Sequence, residues 1–476
     1  MSQSIDYNTL VYEERVHSRC YIDPDIFNEE MEKIFHQGWV YVGHASEVPE
    51  NGDYKTTTIG LQPVIMSRGQ DGKIRVLMNR CKHRGPTVCQ FQKGNAKFFR
   101  CAYHGWTYKN SGELIGVPFP KGYGDDFNKV EYGLDEAAVT GEYRGLIFAS
   151  LSENAMPFEE YLPEPVRKYI DNFFNLSPLG EIDVRRGVLK TDVNANWKHQ
   201  LENGSADGYH PHFTHENWMN LIAERLGSAR KMGVWEDGGP DSGERQRYLG
   251  GPAHCTIDYL EKRKRRAERE GLKIPTQLEQ SILAVMPHPD TKGDGSKAWE
   301  VYPEMSDEAI ERYIADMVQA HGEERAKELL ASGGSHMSIF PNLQITPLSI
   351  RVLRPVAVNK TDVEVYIPWF KGVPDEFNIH RMRGGEGFFG LSAWGGQEDY
   401  EMFERIQEGM EAQKNPWTLL TRGMNRQGID SDGLMEAGIT DELCIRKIWE
   451  YWLKVMSGEK EVQDCGKISS EEVARS

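Results

Sequence analysis

Two stretches of the chain concentrate residues that bind metals. The first reads Cys81-Lys-His83, then 17 intervening residues, then Cys101-Ala-Tyr-His104. Each short loop supplies one thiol and one imidazole and closes on a glycine, Gly85 or Gly105. A tetrahedral zinc site also takes two cysteines and two histidines, but zinc fingers usually pair like ligands with like. One of each per loop instead suits a [2Fe–2S] centre in which two thiolates hold one iron and two imidazoles the other. Exchanging two thiolates for neutral imidazoles removes negative charge and raises the potential, as an electron relay requires. Cys89 reads as a small core residue rather than a ligand.

The second stretch runs from Asn196 to His215 and holds His199, His210, His212 and His215 with Glu202 and Asp207. So many polar groups are too costly for an ordinary buried helix face unless they pair or bind metal. On a continuous helix Asn203, Asp207 and His210 would share one face. Pro211 disfavours helical geometry at His210, and a bend there would swing His215 back towards His210. Two neutral imidazoles and a carboxylate on one side of Fe(II) leave positions open for dioxygen.

The segments NRCKHRG and RCAYHGWTY resemble the cluster motif of Rieske oxygenases, and E-N-x3-D-x2-H-x4-H resembles the mononuclear-iron motif of the same family. That resemblance runs from about residue 20 to 455. It implies Cys81, His83, Cys101 and His104 as cluster ligands, with His210 and His215 on Fe(II). Asp207 is similar to the family's bridging carboxylate, which links a Rieske histidine to an iron-ligand histidine. Asn203, one turn earlier, is a candidate hydrogen-bond donor near the iron. His199 and His212 match no ligand position. The family's third ligand lies far downstream, and Asp399 in Gly395-Gly-Gln397-Glu398-Asp399 aligns with it. Glu398 and Glu401 are the local alternatives, and an acidic helix N-terminus is the plain structural reading.

The implied fold class is α+β, an all-β Rieske domain inserted in a catalytic domain with a helix-covered antiparallel sheet. The expected limits are 1–40 (N-terminal helical part of the catalytic domain), 41–155 (Rieske) and 156–476 (catalytic). The implied activity is hydroxylation of an aromatic ring with O2 and electrons from a separate reductase or ferredoxin. The implied assembly is a homotrimer, with or without small β subunits. The stretches around 101–129 and 196–210 look closer to oxygenases of aromatic acids, the benzoate and anthranilate types, than to naphthalene types. The competing functions are a Rieske electron carrier with a non-catalytic second metal site, or an oxygenase of a neutral or amino-substituted arene. Met219, Leu343, Ile345 and Phe389 are candidate pocket walls.

The elements that must position these groups are legible in part. Residues 22–40 have apolar side chains at helical spacing after an Asp cap. Short β-rich runs separated by Gly, Asn and Asp fill 41–150. Residues 222–335 read as helix and long loop. Three strands follow, SIFPNLQIT, SIRVLRPVA and TDVEVYIPWF, and then helices near 396–414 and 441–458. Gly385-Glu-Gly387-Phe-Phe-Gly390 satisfies G-x-G-x-x-G but lies outside a βαβ unit, the context that gives the motif meaning. It reads as a glycine-rich turn, so the chain offers no nicotinamide or flavin domain.

Bulk properties narrow the classes. The chain has 476 residues, 39% hydrophobic and 27% charged, with a formal charge of −17. That charge argues against broad phosphate contact with nucleic acid, and the basic run at 261–270 is interleaved with acids. Seven cysteines form no secreted disulfide framework. No apolar run reaches the roughly 20 residues of a bilayer span, and the N-terminal sequence lacks the charged-then-apolar pattern of a signal peptide. A cytoplasmic protein without membrane contact is the expectation.

Overall fold

The computed structural model describes residues 5–217, 220, 242–262, 265, 307–393 and 395–458. The chain divides into two compact units: Asn28–Phe158, and Met1–Phe27 together with Glu159–Ser476.

The strands of the Asn28–Phe158 unit pair antiparallel throughout. Ile74–Met78, Gln62–Arg68, Asp53–Ile59 and Lys93–Asn95 form a four-stranded sheet in that order. Leu114–Gly116, Thr107–Lys109 and Phe98–Arg100 form a second, and Val139–Tyr143, Leu146–Ser150 and Val40–His44 a third. The Thr- and Ile-rich runs favour this pleated, half-buried setting. Gly60, at φ +54°, starts the two-residue turn between Asp53–Ile59 and Gln62–Arg68, where a positive φ suits glycine. One core joins Tyr54, Ile65, Leu77, Phe99, Trp106, Tyr108 and Leu114 with Cys81, Cys89 and Cys101. The helix expected over 22–40 is shorter than its pattern. It runs as Pro24–Glu30 and a π-type segment Met31–His36 before the chain extends at Val40.

The second unit is built on a nine-stranded antiparallel sheet. Its order is Val188–Val193, Lys360–Tyr366, Ile350–Ala357, Leu343–Ile345, His336–Ile339, His254–Asp258, Arg245–Gly250, Met435–Gly438 and Gly428–Ile429. Arg245–Gly250 and His254–Asp258 correct the reading of 222–335 as helix and loop. Their mixed polar sequences hide the two-residue alternation, yet Gln246, His254 and Thr256 are buried at the sheet centre. The run SIFPNLQIT is two strands, divided by a turn at Phe340–Asn342. The G-x-G-x-x-G segment is another correction, because it lies in the Asp375–Phe389 helix rather than in a turn. A Cβ on Gly385 would come within 2.3 Å of Ile367, so glycine there permits close helix-to-sheet packing. Most of the basic run at 261–270 lies outside the described residues, as does Met219.

The Trp197–Ala206 helix lies on this sheet. Asn196 caps it, its side chain accepting from Lys198 N at 3.1 Å and donating to Val358 O at 2.7 Å. Gln344 Nε2 donates to Gln200 O and Leu201 O at 2.9 and 3.2 Å. A Cβ on Gly204 would meet Gln344 at 2.2 Å, so glycine lets the helix settle onto the strand. Glu202 Oε1 accepts from Tyr21 Oη at 2.8 Å and from Trp449 Nε1 at 2.9 Å. That carboxylate ties the N-terminal segment and the Leu443–Ser457 helix to the same spot.

Candidate metal centres

The two cysteine–histidine loops share one backbone design. Cys81 N–H donates to Pro86 O at 2.9 Å and Gly85 N–H returns to Cys81 O at 2.9 Å. In the other loop Cys101 N–H donates to Trp106 O at 2.8 Å and Gly105 N–H to Cys101 O at 3.0 Å. Gly85 and Gly105 both have positive φ, +88° and +72°, which turns each loop back within five residues. The thiols of Cys81 and Cys101 are buried, His83 is half-buried and His104 is exposed. The two imidazoles stand 4.6 Å apart between centroids.

His83 Nδ1 is buried and has no hydrogen-bond partner among the described residues, whereas its Nε2 lies 3.3 Å from Tyr123 Oη. A buried orphan nitrogen is costly, and a metal removes that cost. Trp106 stacks on His83 at 5.1 Å and 7°, fixing the ring plane. Tyr108 Oη lies 3.2 Å from Cys81 Sγ and accepts from Lys82 N at 3.1 Å. These four side chains fit a [2Fe–2S] centre. Cys89 stays in the core, where burial pushes its thiol up to about 12, far from the thiolate form that binds metal.

The second centre is assembled across the catalytic unit. His210, His215 and Asp399 each present a ligand atom within 4.8 Å of the others. His210 Nε2 and His215 Nε2 lie 3.5 and 3.2 Å from Asp399 Oδ1. Both outer nitrogens are engaged: His210 Nδ1 is 2.8 Å from Asp207 O, and His215 Nδ1 is 2.9 Å from Glu398 Oε2. With Nδ1–H donated outwards, both Nε2 atoms would be free to bind an ion beside Asp399 Oδ1, a two-histidine, one-carboxylate set suited to Fe(II). Asn203 Nδ2 donates to Asp399 Oδ1 at 3.3 Å.

The local backbone breaks earlier than the bend expected at Pro211. The helix stops at Ala206, and Asp207 is extended at φ −123°, ψ 95°. A Cβ on Gly208 would meet Ile439 at 2.3 Å, so glycine accommodates the turn there. A short helix, Pro211–Thr214, then begins with proline at its first position, where the missing N–H is no loss. His210 itself is helical at φ −58°, ψ −36°, against the usual bias before proline. Its N–H to Asp207 Oδ1 at 3.0 Å and its ring to Asp207 O hold it there. The break that returns His215 to His210 is therefore at Asp207–Gly208.

The charges of these groups follow from their neighbours, taken as protein groups alone. Burial pushes the Asp399 carboxyl up, but the hydrogen bond from His215 and the positive charges of His210, His215 and Arg351 hold it below its ordinary value. Burial lowers His215, and its bonds to Asp399 and Glu398 outweigh that and raise it. For Asp207 burial is again outweighed, here by His210 and the backbone N–H groups of 209 and 210, so it stays below the usual range. His199 lies elsewhere, stacked on Tyr21 at 4.7 Å, and burial lowers it to about 3. His212 is not in the converging set.

Residue motifs alone do not reveal Arg351. It is buried, its guanidinium lies 4.5 Å from the Phe389 ring centroid, and Nε has no partner among the described residues. The available signal is an arginine amid the apolar run Ile350–Leu353, where an unpaired charge is too costly to be incidental. Arg351 pairs in register with Gln344 and so shares the face that carries the Trp197–Ala206 helix. By the same alternation Leu343 and Ile345 point to the other face. Phe388, 5.7 Å from His215 between ring centroids, is nearer the site.

Residues 38–131 match the Rieske [2Fe-2S] domain, and residues 182–458 match the catalytic domain of the ring-hydroxylating alpha subunit. The chain belongs to the ring-hydroxylating oxygenase α-subunit family. This oxygenase is 30% identical to the anthranilate 1,2-dioxygenase large subunit of Acinetobacter baylyi, over 87% of its own length and 81% of that protein. It is 31% identical to the toluate 1,2-dioxygenase α subunit of Pseudomonas putida, over 85% and 80%. Its fold matches naphthalene 1,2-dioxygenase from Rhodococcus sp. with a TM-score of 0.73, 26% identity, and coverage of 94% and 95%. The fold is the α+β arrangement expected, an all-β Rieske part and a catalytic part on an antiparallel sheet. It is a Rieske non-haem iron oxygenase with a [2Fe–2S] cluster and a mononuclear iron, and it works with an aromatic substrate, O2 and a reductase or ferredoxin. Both the zinc reading and the electron-carrier reading fall to these matches. Among the described residues no helix is long and apolar enough to cross a membrane.

Proposed function

We propose that this oxygenase hydroxylates the ring of an aromatic carboxylic acid, with Cys81, His83, Cys101 and His104 holding the cluster and His210, His215 and Asp399 holding Fe(II). The observation that carries the iron assignment is the convergence of two Nε2 atoms and Asp399 Oδ1 within 4.8 Å. A [2Fe–2S] cluster held by the first set would supply single electrons, and Fe(II) held by the second would supply dioxygen activation, for a cis-dihydrodiol or a hydroxylated ring as product. The chain's own groups orient and gate. Asp207 fixes His210 through its carbonyl oxygen, and its half-buried carboxylate, with Oδ2 3.5 Å from His210 Nδ1, is left to receive a histidine from outside. Asn203 holds Asp399 by one hydrogen bond, which keeps that carboxylate turned towards the imidazoles.

In this reading residues 41–155 form the Rieske domain, and 1–40 with 156–476 the catalytic domain. The chain works as a homotrimer, with or without β subunits, and Asp207 receives the cluster histidine of a neighbouring protomer. The aromatic-acid assignment is supported by the resemblance of 101–129 and 196–210 and by the anthranilate and toluate relatives, whose names specify aromatic acids. Oxygen uptake with a matched reductase, over benzoates, aminobenzoates and neutral arenes, tests it. Uptake with the acids supports the assignment, and a response to neutral arenes alone overturns it.

A further inference from the structure

The two iron-facing histidines are braced differently. His210 Nδ1 meets a neutral backbone carbonyl, Asp207 O, at 2.8 Å. His215 Nδ1 meets a full carboxylate, Glu398 Oε2, at 2.9 Å. Glu398 and Asp399 are consecutive in the first turns of the Gly395–Gly409 helix, so one imidazole is held between two adjacent acids. The longer side chain reaches its outer nitrogen, and the shorter one faces its inner nitrogen at 3.2 Å. The His215 side chain is 6% exposed and that of Glu398 26%, so the contact is largely shielded from water. A charge-assisted bond of this kind is about twice as strong as a neutral one.

We infer that Glu398 is a positioning residue for the mononuclear iron: it locks His215 with Nδ1–H outwards and Nε2 inwards, and adds a negative charge that strengthens that imidazole as a donor. The inference rests on the ligand reading above. A carboxylate behind a ligand histidine fixes the ring and raises its basicity, and removing one typically weakens metal binding 10- to 100-fold. Glu398 is thereby separated from Asp399 in role, although the two are neighbours of the same charge. Its carboxylate faces the far side of the imidazole from the converging lone pairs and is not part of the 4.8 Å set.

The test is Fe(II) affinity of the mononuclear site, measured by chelator competition on the full chain with its cluster intact. The variants are Glu398→Ala, Glu398→Gln and His215→Ala, with Glu401→Ala as a control on the same helix, where Glu401 pairs, among the described residues, only with Arg405 at 2.8 Å. The cluster's visible spectrum and circular dichroism report folding. Glu398→Ala should bind iron about 10- to 100-fold more weakly. Glu398→Gln, which keeps an acceptor but loses the charge, should fall between it and wild type, and Glu401→Ala should match wild type. Wild-type affinity in both Glu398 variants overturns the inference. So does loss of iron in Glu398→Gln as complete as in His215→Ala, which would make Glu398 a ligand. Equal weakening in Glu401→Ala overturns it too, because the effect would then belong to the helix. Full iron retention in His215→Ala would instead sink the ligand reading itself.

Discussion

The two metal centres are built on opposite plans. The cluster loops are made by local backbone: each cysteine and histidine sits within a six-residue turn closed by a positive-φ glycine, and one hydrogen-bond pattern serves both loops. The iron site is made by tertiary structure. Glu398 lies 183 positions from the histidine it braces, and the two meet only because the helices that carry them fold over one sheet. His104 is exposed and His83 Nε2 faces a tyrosine, whereas His210 and His215 both have Nδ1 engaged by protein. A locally encoded site should tolerate damage elsewhere, and a site closed by the whole fold should not.

The largest effect that would sharpen this contrast is in the ligands. His210→Ala or His215→Ala should empty the mononuclear site and abolish turnover while leaving the Rieske spectrum intact, as read by metal analysis and EPR. Loss of the cluster signal instead would mean that the two sites are not separable in this way. Next is Asp207→Asn. It keeps the carbonyl that holds His210 but weakens the acceptor offered to an incoming histidine, so turnover should fall about 100-fold with both metals retained. Full activity would remove the bridging role.

Acid should act on the catalytic unit through its buried histidines. His254 Nε2 faces Tyr161 O at 2.6 Å, and Nδ1 accepts from Phe340 N at 3.0 Å, so the ring fits only when neutral. Burial lowers it to about 3. The unfolded chain takes up that proton near its ordinary value of 6.5, so stability is complete above that pH and falls as pH drops towards about 3. The expected slope is about 1.4 kcal/mol per pH unit within that window, and urea unfolding of wild type against His254→Gln reads it. Equal slopes would show that His254 is not the linked group.

The smallest expected effect lies in the cluster unit. With Cys81 as an iron-bound thiolate, the Tyr108 hydroxyl, already accepting from Lys82 N–H, has its proton free for the sulfur. That bond favours the more negative reduced cluster. Tyr108→Phe should therefore lower the potential, shifting the redox equilibrium about tenfold, or about 59 mV for one electron. An unchanged potential in a redox titration would remove this contact from the account.

The same difference in construction explains what the sequence discloses. Cys81, His83, Cys101 and His104 stand out by alternation and spacing because their geometry is set within each loop. His210 and His215 are readable as a polar run too expensive to bury idly, but the path between them is not. Continuous helical spacing hides the break at Asp207–Gly208, which depends on Ile439 pressing against Gly208. Asp399 comes only by resemblance, and Arg351 and the Glu398 contact depend on strand register and helix packing that no local pattern carries. The strands Arg245–Gly250 and His254–Asp258 are missed for a related reason: buried at the sheet centre, they keep Gln246, His254 and Thr256 satisfied by distant partners.

The central claim is two separate iron centres with separable ligand sets, and the direct measurement is iron and acid-labile sulfide per chain with EPR, in wild type and Asp399→Ala. Wild type should hold two sulfides with two cluster irons plus one further iron, and the variant should lose that one iron alone. A colourless, zinc-loaded wild type, or a variant that keeps all its iron, would contradict it.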